Sequence, residues 1–131
     1  MRRRFASSPV AYLATVRGDG RPHVVPVVFV LAGDMVFSAV DAKPKRSYRL
    51  QRLVNIESEP RCSLLVDHYE EDWSRLWWVR ADGEASVVEP AAARQGLSAL
   101  VERHAQYRQH APPGPLVAVR VTHWSGWSAE Q

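Results

Sequence analysis

Positive charge in this sequence is concentrated in one short segment. Residues 43–52 contain no acidic residue and hold five of the chain's 17 Lys and Arg residues, which are Lys43, Lys45, Arg46, Arg49 and Arg52. The segment follows a predicted strand that contains Ser38 and Ala39, and Ser47 is a suitable N-cap for a helix. Free backbone N–H groups at a helix N-terminus, together with nearby cations, favour a phosphate group. The pattern therefore indicates a site for a phosphorylated ligand, held by the Ser38 hydroxyl, backbone amides and the cations.

Two other interpretations of the basic segment stay open. The cations could form a solvated helix face without a ligand, or they could contact the backbone of a nucleic acid. Tyr48 is the one aromatic residue interleaved with the cations. A protein that binds single strands needs more aromatic side chains for stacking, so we expect no nucleic-acid partner.

Tryptophan is the second chemically informative residue type. The chain has five, which are Trp73, Trp77, Trp78, Trp124 and Trp127. Neighbouring residues of a strand face opposite sides, so Trp77 and Trp78 cannot both enter one core. Either one of them packs in the core and the other lies in a subunit interface, or one stacks on a flat heterocyclic ligand. Plain core packing is the remaining alternative.

Motifs for several enzyme classes are absent from the sequence. It has no Gly-x-Ser-x-Gly, no Walker phosphate loop and no Gly-x-Gly-x-x-Gly, so hydrolase, nucleoside triphosphatase and Rossmann interpretations lack support. His68 stands in an acidic stretch without a second histidine at ligand spacing, and we predict no metal site. Cys62 lies in an apolar run and is expected to be a small buried hydrophobe. No catalytic residue can be named; Tyr69, His68 and His123 are candidate proton donors.

The composition is that of one globular domain covering residues 1–131. Apolar residues make up 46% and charged residues 24%, and the net charge is +3. No apolar run approaches the ~20 residues needed to cross a bilayer. With one cysteine, the chain cannot form an internal disulfide. We therefore expect a cytoplasmic protein without a membrane partner.

The elements that must position these residues are mostly strands joined by short turns. Strands are predicted at residues 10–16, 23–31, 35–40, 61–67, 76–80, 84–89 and 116–121, with a hairpin turn at 81–83. Helices are predicted at 2–8, 47–58 and 90–104, with Leu50, Leu53, Val54 and Ile56 on the inner face of the second. Six or seven antiparallel strands with two or three helices predict a mainly β fold, a barrel with helical additions.

The order of these motifs resembles a known superfamily. The strand 11–16, the turn Gly18-Asp19-Gly20 with its following strand, residues 36–39, the Lys43-Pro44-Lys45-Arg46 cluster and residues 55–66 are similar to the pyridoxamine 5′-phosphate oxidase-like split β-barrel proteins. The segments Lys43-Pro44-Lys45, Asp67-His68-Tyr69, Trp77-Trp78-Val79-Arg80 and Trp124-Ser125-Gly126-Trp127 resemble an actinobacterial branch of enzymes dependent on the deazaflavin coenzyme F420. The resemblance covers residues 5–129.

The resemblance implies an FMN-binding-protein-like split barrel that forms a homodimer with two cofactor sites at the subunit interface. The cofactor phosphate would lie on Ser38, Lys43, Lys45 and Arg46, next to Ala39, and Arg49 or Arg52 could meet the anionic oligoglutamate tail of the deazaflavin. The flat ring would lie against Val25, Pro26, Val27 and Val28, and Trp77 and Trp78 would reach it across the interface.

The implied activity is hydride transfer between coenzyme F420 and a small organic substrate that the sequence does not identify. The cofactor supplies this chemistry itself, which agrees with the absence of a nucleophile motif. Two alternatives stay open: an FMN-dependent oxidoreductase of the same fold, and a non-enzymatic protein that binds or carries a flavin, a deazaflavin or haem.

Overall fold

Six antiparallel strands close into a barrel in the order β1-β2-β3-β6-β5-β4. The computed structural model describes residues 1–40 and 50–130. The strands are β1 (Val10–Val16), β2 (Pro22–Ala32), β3 (Met35–Ala39), β4 (Arg61–His68), β5 (Trp77–Val88) and β6 (Leu116–Ser128). The helices in the described part are α1 (Arg2–Ser7), α2 (Gln51–Ser58), α3 (Arg94–Arg103) and α4 (Ala105–Gln109). This architecture confirms the predicted mainly β barrel, with four helices rather than two or three.

The predicted hairpin at residues 81–83 is wrong. β5 runs without a turn through Gly83 and pairs with both β4 and β6. The register of β5 against β6 shifts between Asp82 and Gly83, and a Cβ at Gly83 would lie 2.3 Å from the carbonyl oxygen of Arg120. The glycine therefore permits a close approach of two backbones, a role that the sequence pattern does not distinguish from a turn.

Three other element boundaries differ from the prediction. The second helix begins at Gln51 behind an extended Leu50, whereas the proposed N-cap Ser47 lies outside the described residues. The third predicted helix divides into a 3₁₀ turn at Pro90–Ala92 and α3, and α4 follows it. β6 continues beyond Val121 to Ser128, so the C-terminal tryptophan segment belongs to the barrel wall.

The inward-facing residues of all six strands form the main hydrophobic core. Leu13, Phe29, Leu64, Val79 and Val119 are each at most 3% exposed. A smaller cluster lies outside the barrel, where Leu100 of α3 packs near Ala39 and Leu116. The imidazole Nε2 of His104 donates to the carbonyl oxygen of Phe29 at 2.7 Å and ties the end of α3 to β2.

Two helices contribute buried side chains to the barrel core. Phe5 of α1 is fully buried, with its ring centroid 4.9 Å from that of Phe29. α2 contributes Leu53 and Ile56, whereas Val54, predicted on the same inner face, is exposed. Asn55 is buried instead, and its Nδ2 donates to Thr15 Oγ1 at 3.0 Å, which fixes α2 against β1.

Cys62 is buried in this core, as predicted. Burial raises the pKa of its thiol to about 12, and the negative charge of Asp82 acts in the same direction. The thiol therefore stays protonated at neutral pH and has no nucleophilic character there. Within the described residues, no helix combines the length and the apolar character that a membrane span requires.

The close approach at Gly83 can be tested by adding one methyl group. We expect Gly83→Ala to lower the free energy of unfolding by about 1–3 kcal/mol, because a backbone atom must move to accommodate the Cβ. Gly18→Ala is the matched control, since a Cβ there has no atom within 4 Å. Urea denaturation of both variants measures the difference, and equal stabilities would contradict the packing role of Gly83.

The protonated state of Cys62 predicts slow alkylation. Because its pKa is raised to about 12, the thiolate fraction at pH 8 is very small. We expect iodoacetamide to modify the folded protein at least roughly 100-fold more slowly than the urea-unfolded chain, whose thiol has an ordinary pKa. Mass spectrometry follows the adduct, and rapid modification of the folded protein would show that Cys62 is an accessible thiolate.

Candidate functional site: an apolar face and groove on the barrel

One outer face of the barrel is apolar although it is exposed. On β1, Leu13 and the residues two positions before and after it point inward, so Val10, Tyr12 and Val16 point outward. β2 contributes Val24 and Val28 to the same side. Tyr12 is 44% and Val24 is 60% exposed, an unusual state for large side chains in the middle of paired strands. We call these five residues the apolar face.

None of the helices in residues 1–40 and 50–130 covers this face. α3 packs on β2 and β3, while α1 and α2 contribute Phe5, Leu53 and Ile56 to the core. A contiguous exposed apolar patch of this kind marks an interaction or ligand-binding surface in most soluble proteins.

Next to the apolar face lies a groove of about 440 Å³. Across the sheet, Tyr12 is paired with Leu65, and Leu65 with Arg80, so the three side chains form a row. The described residues that line it are Tyr12, Ala14, Val24, Ser63, Leu65, Asp67, Tyr69, Trp78 and Arg80. We call this cavity the aromatic groove, since three of its walls are tyrosine or tryptophan rings. Its size and its mostly apolar lining are typical of a small-molecule site.

Two polar side chains of the groove are held in place by one carboxylate. Ser63 Oγ donates to Asp82 Oδ1 at 2.6 Å, and Arg80 Nε donates to the same oxygen at 3.1 Å. The Arg80 guanidinium also lies 5.7 Å from the centroid of the Trp78 ring. Since Arg80 is oriented by both contacts, it can present its remaining N–H groups to a carbonyl or an anionic oxygen of a ligand.

The adjacent tryptophans lie on opposite sides of β5, as their spacing predicts. Trp77 packs against the core and has the Arg4 guanidinium 5.0 Å from its ring centroid. Its ring also stacks beside that of His68 at 6.4 Å. Trp78 lines the aromatic groove. Of the two predicted site residues, Trp78 is therefore available to a ligand there, and Trp77 supports α1.

The predicted ring-binding residues of β2 divide in the same way. Pro26 and Val28 point outward, and Pro26 is paired with Tyr12. The side chains of Val25 and Val27 point inward, Val27 into the core and Val25 against it, so any contact of these two residues with a ligand stays a prediction. Ser38 and Ala39 at the end of β3 are both buried, and Ala39 packs under α3.

The predicted phosphate-binding cations lie outside the described residues. Lys43, Lys45, Arg46 and Arg49 all belong to segment 41–49, so their contact with a phosphate stays a prediction. Tyr12, Leu65 and Arg80 were not predicted as site residues. The signal that could have identified Tyr12 is the apolar character of both alternating sets on β1, because a strand with two apolar sides needs two covered faces.

Comparison with known proteins agrees with the fold. Among solved structures, a conserved hypothetical protein from Mycobacterium tuberculosis superposes with a TM-score of 0.74 at 23% identity, over 95% of this chain and 80% of that one. A FAD-binding protein from Mesorhizobium loti gives 0.70 at 18% identity, over 93% and 85%. The haem storage protein HutZ from Vibrio cholerae gives 0.72 at 20% identity, over 93% and 87%.

At these identities the three structures establish a common fold and no common ligand. No curated protein matches the sequence. The model of the family described as pyridoxamine 5′-phosphate oxidase matches residues 1–128. With almost every residue of the barrel included in that match, the chain belongs to the pyridoxamine 5′-phosphate oxidase family.

Proposed function

We propose that this chain is a homodimeric cytoplasmic oxidoreductase that uses the deazaflavin coenzyme F420 to transfer a hydride to or from a small organic substrate. The observation that carries the proposal is the aromatic groove beside the exposed apolar face. A second copy of the chain would cover the face and close the groove from solvent.

The groove residues fit a flat tricyclic ring. Tyr12, Tyr69 and Trp78 provide aromatic walls, and Leu65 and Val24 provide apolar contacts. Such surfaces stack on a heterocycle without requiring many hydrogen bonds. The cofactor would supply the hydride chemistry, while the chain binds the ring, orients it and excludes water.

Arg80 is the one positive group among the described residues that line the groove. Because Asp82 and Trp78 hold the guanidinium in place, it can bind a ring carbonyl without a large loss of side-chain entropy. A guanidinium near the pyrimidine side of such a ring also favours the form in which that side carries negative charge. Reduced flavins and deazaflavins place charge on that side.

The basic segment supports a phosphorylated cofactor. Lys43, Lys45 and Arg46 precede α2 in the sequence, and Arg49 and Arg52 add charge for an oligoglutamate tail. FMN has the phosphate but lacks the tail, so a contact of either arginine with the tail would distinguish the deazaflavin from FMN. The resemblance of the Trp77-Trp78-Val79-Arg80 strand to F420-dependent enzymes favours the deazaflavin.

Two related functions compete with this proposal. The family name and the similarity to a FAD-binding protein support an FMN-dependent oxidoreductase. The similarity to a haem storage protein supports a non-enzymatic carrier. Among the described residues that line the aromatic groove there is no histidine, and Tyr12 and Tyr69 are the ones that could ligate a haem iron.

The first prediction from the proposed function concerns cofactor choice. Titration of the purified protein with oxidised coenzyme F420 should quench tryptophan fluorescence and give a lower Kd than titration with FMN. Replacing the groove wall with Trp78→Leu should cost about 1 kcal/mol of binding free energy, or roughly fivefold in Kd. Trp73→Leu is the matched control, because Trp73 is 76% exposed and does not line the groove.

The outcomes of this titration are distinct. Preference for FMN would replace the proposal with a flavin enzyme, and a Soret band with added haem would favour the carrier. If no cofactor binds, or if Trp73→Leu and Trp78→Leu weaken binding equally, the groove is not the cofactor site.

The second prediction concerns the dimer. Val24→Asp places a charge in the middle of the apolar face, and we expect it to convert a dimer to a monomer with weaker cofactor binding. Val54→Asp is the control, since Val54 is similarly exposed at 45% but lies on α2. Light scattering after size-exclusion chromatography measures the mass. A dimer that persists in Val24→Asp would place the interface elsewhere on the molecule.

A further inference from the structure

A second cavity of about 690 Å³ lies where α1 meets the first residues of β5 and the last residues of β6. Its lining residues are Met1, Arg2, Arg3, Arg4, Trp78, Val79, Gly126, Trp127 and Ser128. We call it the arginine–tryptophan pocket. None of the proposed cofactor-binding residues except Trp78 belongs to it.

The charge of this pocket is positive. Three consecutive arginines line it, and no acidic side chain is among its described lining residues. Arg2 pairs with Asp34 and Arg4 approaches Glu130 at 3.9 Å, which partly offsets two of the charges. Arg3 is exposed and forms no ion pair with any residue that the structure describes. At least one full positive charge is therefore available to a ligand.

The helix that carries the arginines is held in position before any ligand binds. Phe5 fixes α1 by packing between Phe29 and Trp124, with ring centroids 4.9 and 5.1 Å away. The Arg2 guanidinium lies 5.3 Å from the ring centroid of Trp124. A helix anchored in this way loses little conformational entropy when its side chains bind an anion.

The opposite wall of the pocket is aromatic. Trp78 and Trp127 are direct partners across the β5–β6 ladder, so their indoles lie side by side on the sheet. Trp127 is 46% exposed, and its ring surface is available to a ligand. A molecule that joins a flat ring to an anionic group can therefore place its ring against the two indoles and its anionic group against the cations.

The geometry points to a binding site for a small aromatic carboxylate in the arginine–tryptophan pocket, with the carboxylate on Arg3 and the ring against Trp127 and Trp78. Trp78 also lines the aromatic groove, so the two cavities share one wall. If the proposed hydride-transfer function is correct, this pocket is the substrate subsite and aromatic carboxylates are the substrate class. The binding site itself does not depend on that function.

The probe for the pocket is 2-naphthoate, and its neutral counterpart of similar shape is 2-acetylnaphthalene. Protein labelled with ¹⁵N-tryptophan gives separate indole N–H signals in an NMR titration, and single Trp→Phe variants assign them. We expect 2-naphthoate to shift the signals of Trp127 and Trp78 with a Kd at least fivefold lower than that of 2-acetylnaphthalene. Raising the salt concentration should reduce this difference.

The matched variants reverse one charge each. Arg3→Glu should raise the Kd for 2-naphthoate about tenfold and leave that for 2-acetylnaphthalene unchanged. Arg94→Glu makes the same change in net charge at an exposed site on α3 outside the pocket, and it should alter neither Kd by more than about twofold. Trp127→Ala should weaken both probes, because it removes the ring surface.

Several results would overturn the site. These are equal Kd values for the two probes, equal effects of Arg3→Glu and Arg94→Glu, and indole shifts confined to Trp73, Trp77 or Trp124. Because this titration contains no cofactor, a failure of cofactor binding leaves its outcome unaffected. A site that binds 2-naphthoate in a protein that binds no deazaflavin or flavin would separate the pocket from the proposed oxidoreductase.

Discussion

The alternation of side chains along strands that close into a barrel is the constraint on which the rest of this structure depends. In such a barrel one alternating set must fill the interior, and here Leu13, Leu64 and Val79 do so. The other set is forced outward whatever its chemistry. Where α3 covers it, the outward residues are apolar and buried, as Ala39 and Leu116 are. On β1 and the first half of β2 no helix of the described part of the chain covers it, and Tyr12 and Val24 are exposed. The apolar face is therefore a direct consequence of barrel closure acting on strands with two apolar sides.

Much of this architecture can be predicted from the sequence, because its determinants are local. The strands β1 to β4 follow from alternation and turn residues, and the opposite orientations of Trp77 and Trp78 follow from adjacency alone. The errors share one cause. The composition of Ala81-Asp82-Gly83 is typical of a turn. The role of Gly83 is decided instead by the close approach of the Arg120 carbonyl, a contact between residues 37 positions apart. Similarly, Asn55 is buried rather than Val54 because its amide bonds to Thr15, a partner on another element.

The candidate site was less predictable for the same reason. The resemblance implies that the four consecutive residues 25–28 of β2 contact the ring. Side chains alternate along the strand, however, so those of Pro26 and Val28 face outward while those of Val25 and Val27 face the core. The aromatic groove is assembled from Tyr12, Leu65 and Arg80, which belong to three strands and become neighbours through the register of β1 with β4 and of β4 with β5. The spacing of residues within one segment does not reveal how that segment pairs with other strands. The cations of residues 41–49, in contrast, are easily recognised as candidate site residues in the sequence, but they lie outside the residues that the structure describes.

The two tryptophans of β5 connect these observations, because each occupies one side of the same strand. Trp77 packs on the core and lies under the Arg4 guanidinium, so it helps to hold α1 at the end of the barrel. α1 in turn presents Arg2 and Arg3 to the cavity that Trp78 and Trp127 line. Trp78 has the Arg80 guanidinium near its ring and separates this cavity from the aromatic groove. A smaller residue at position 77 would loosen the support of the arginines, whereas one at position 78 would merge the two cavities. Of these two adjacent residues, Trp77 therefore has a structural role and Trp78 faces the cavities. The two roles are separated because neighbouring side chains of a strand point to opposite sides.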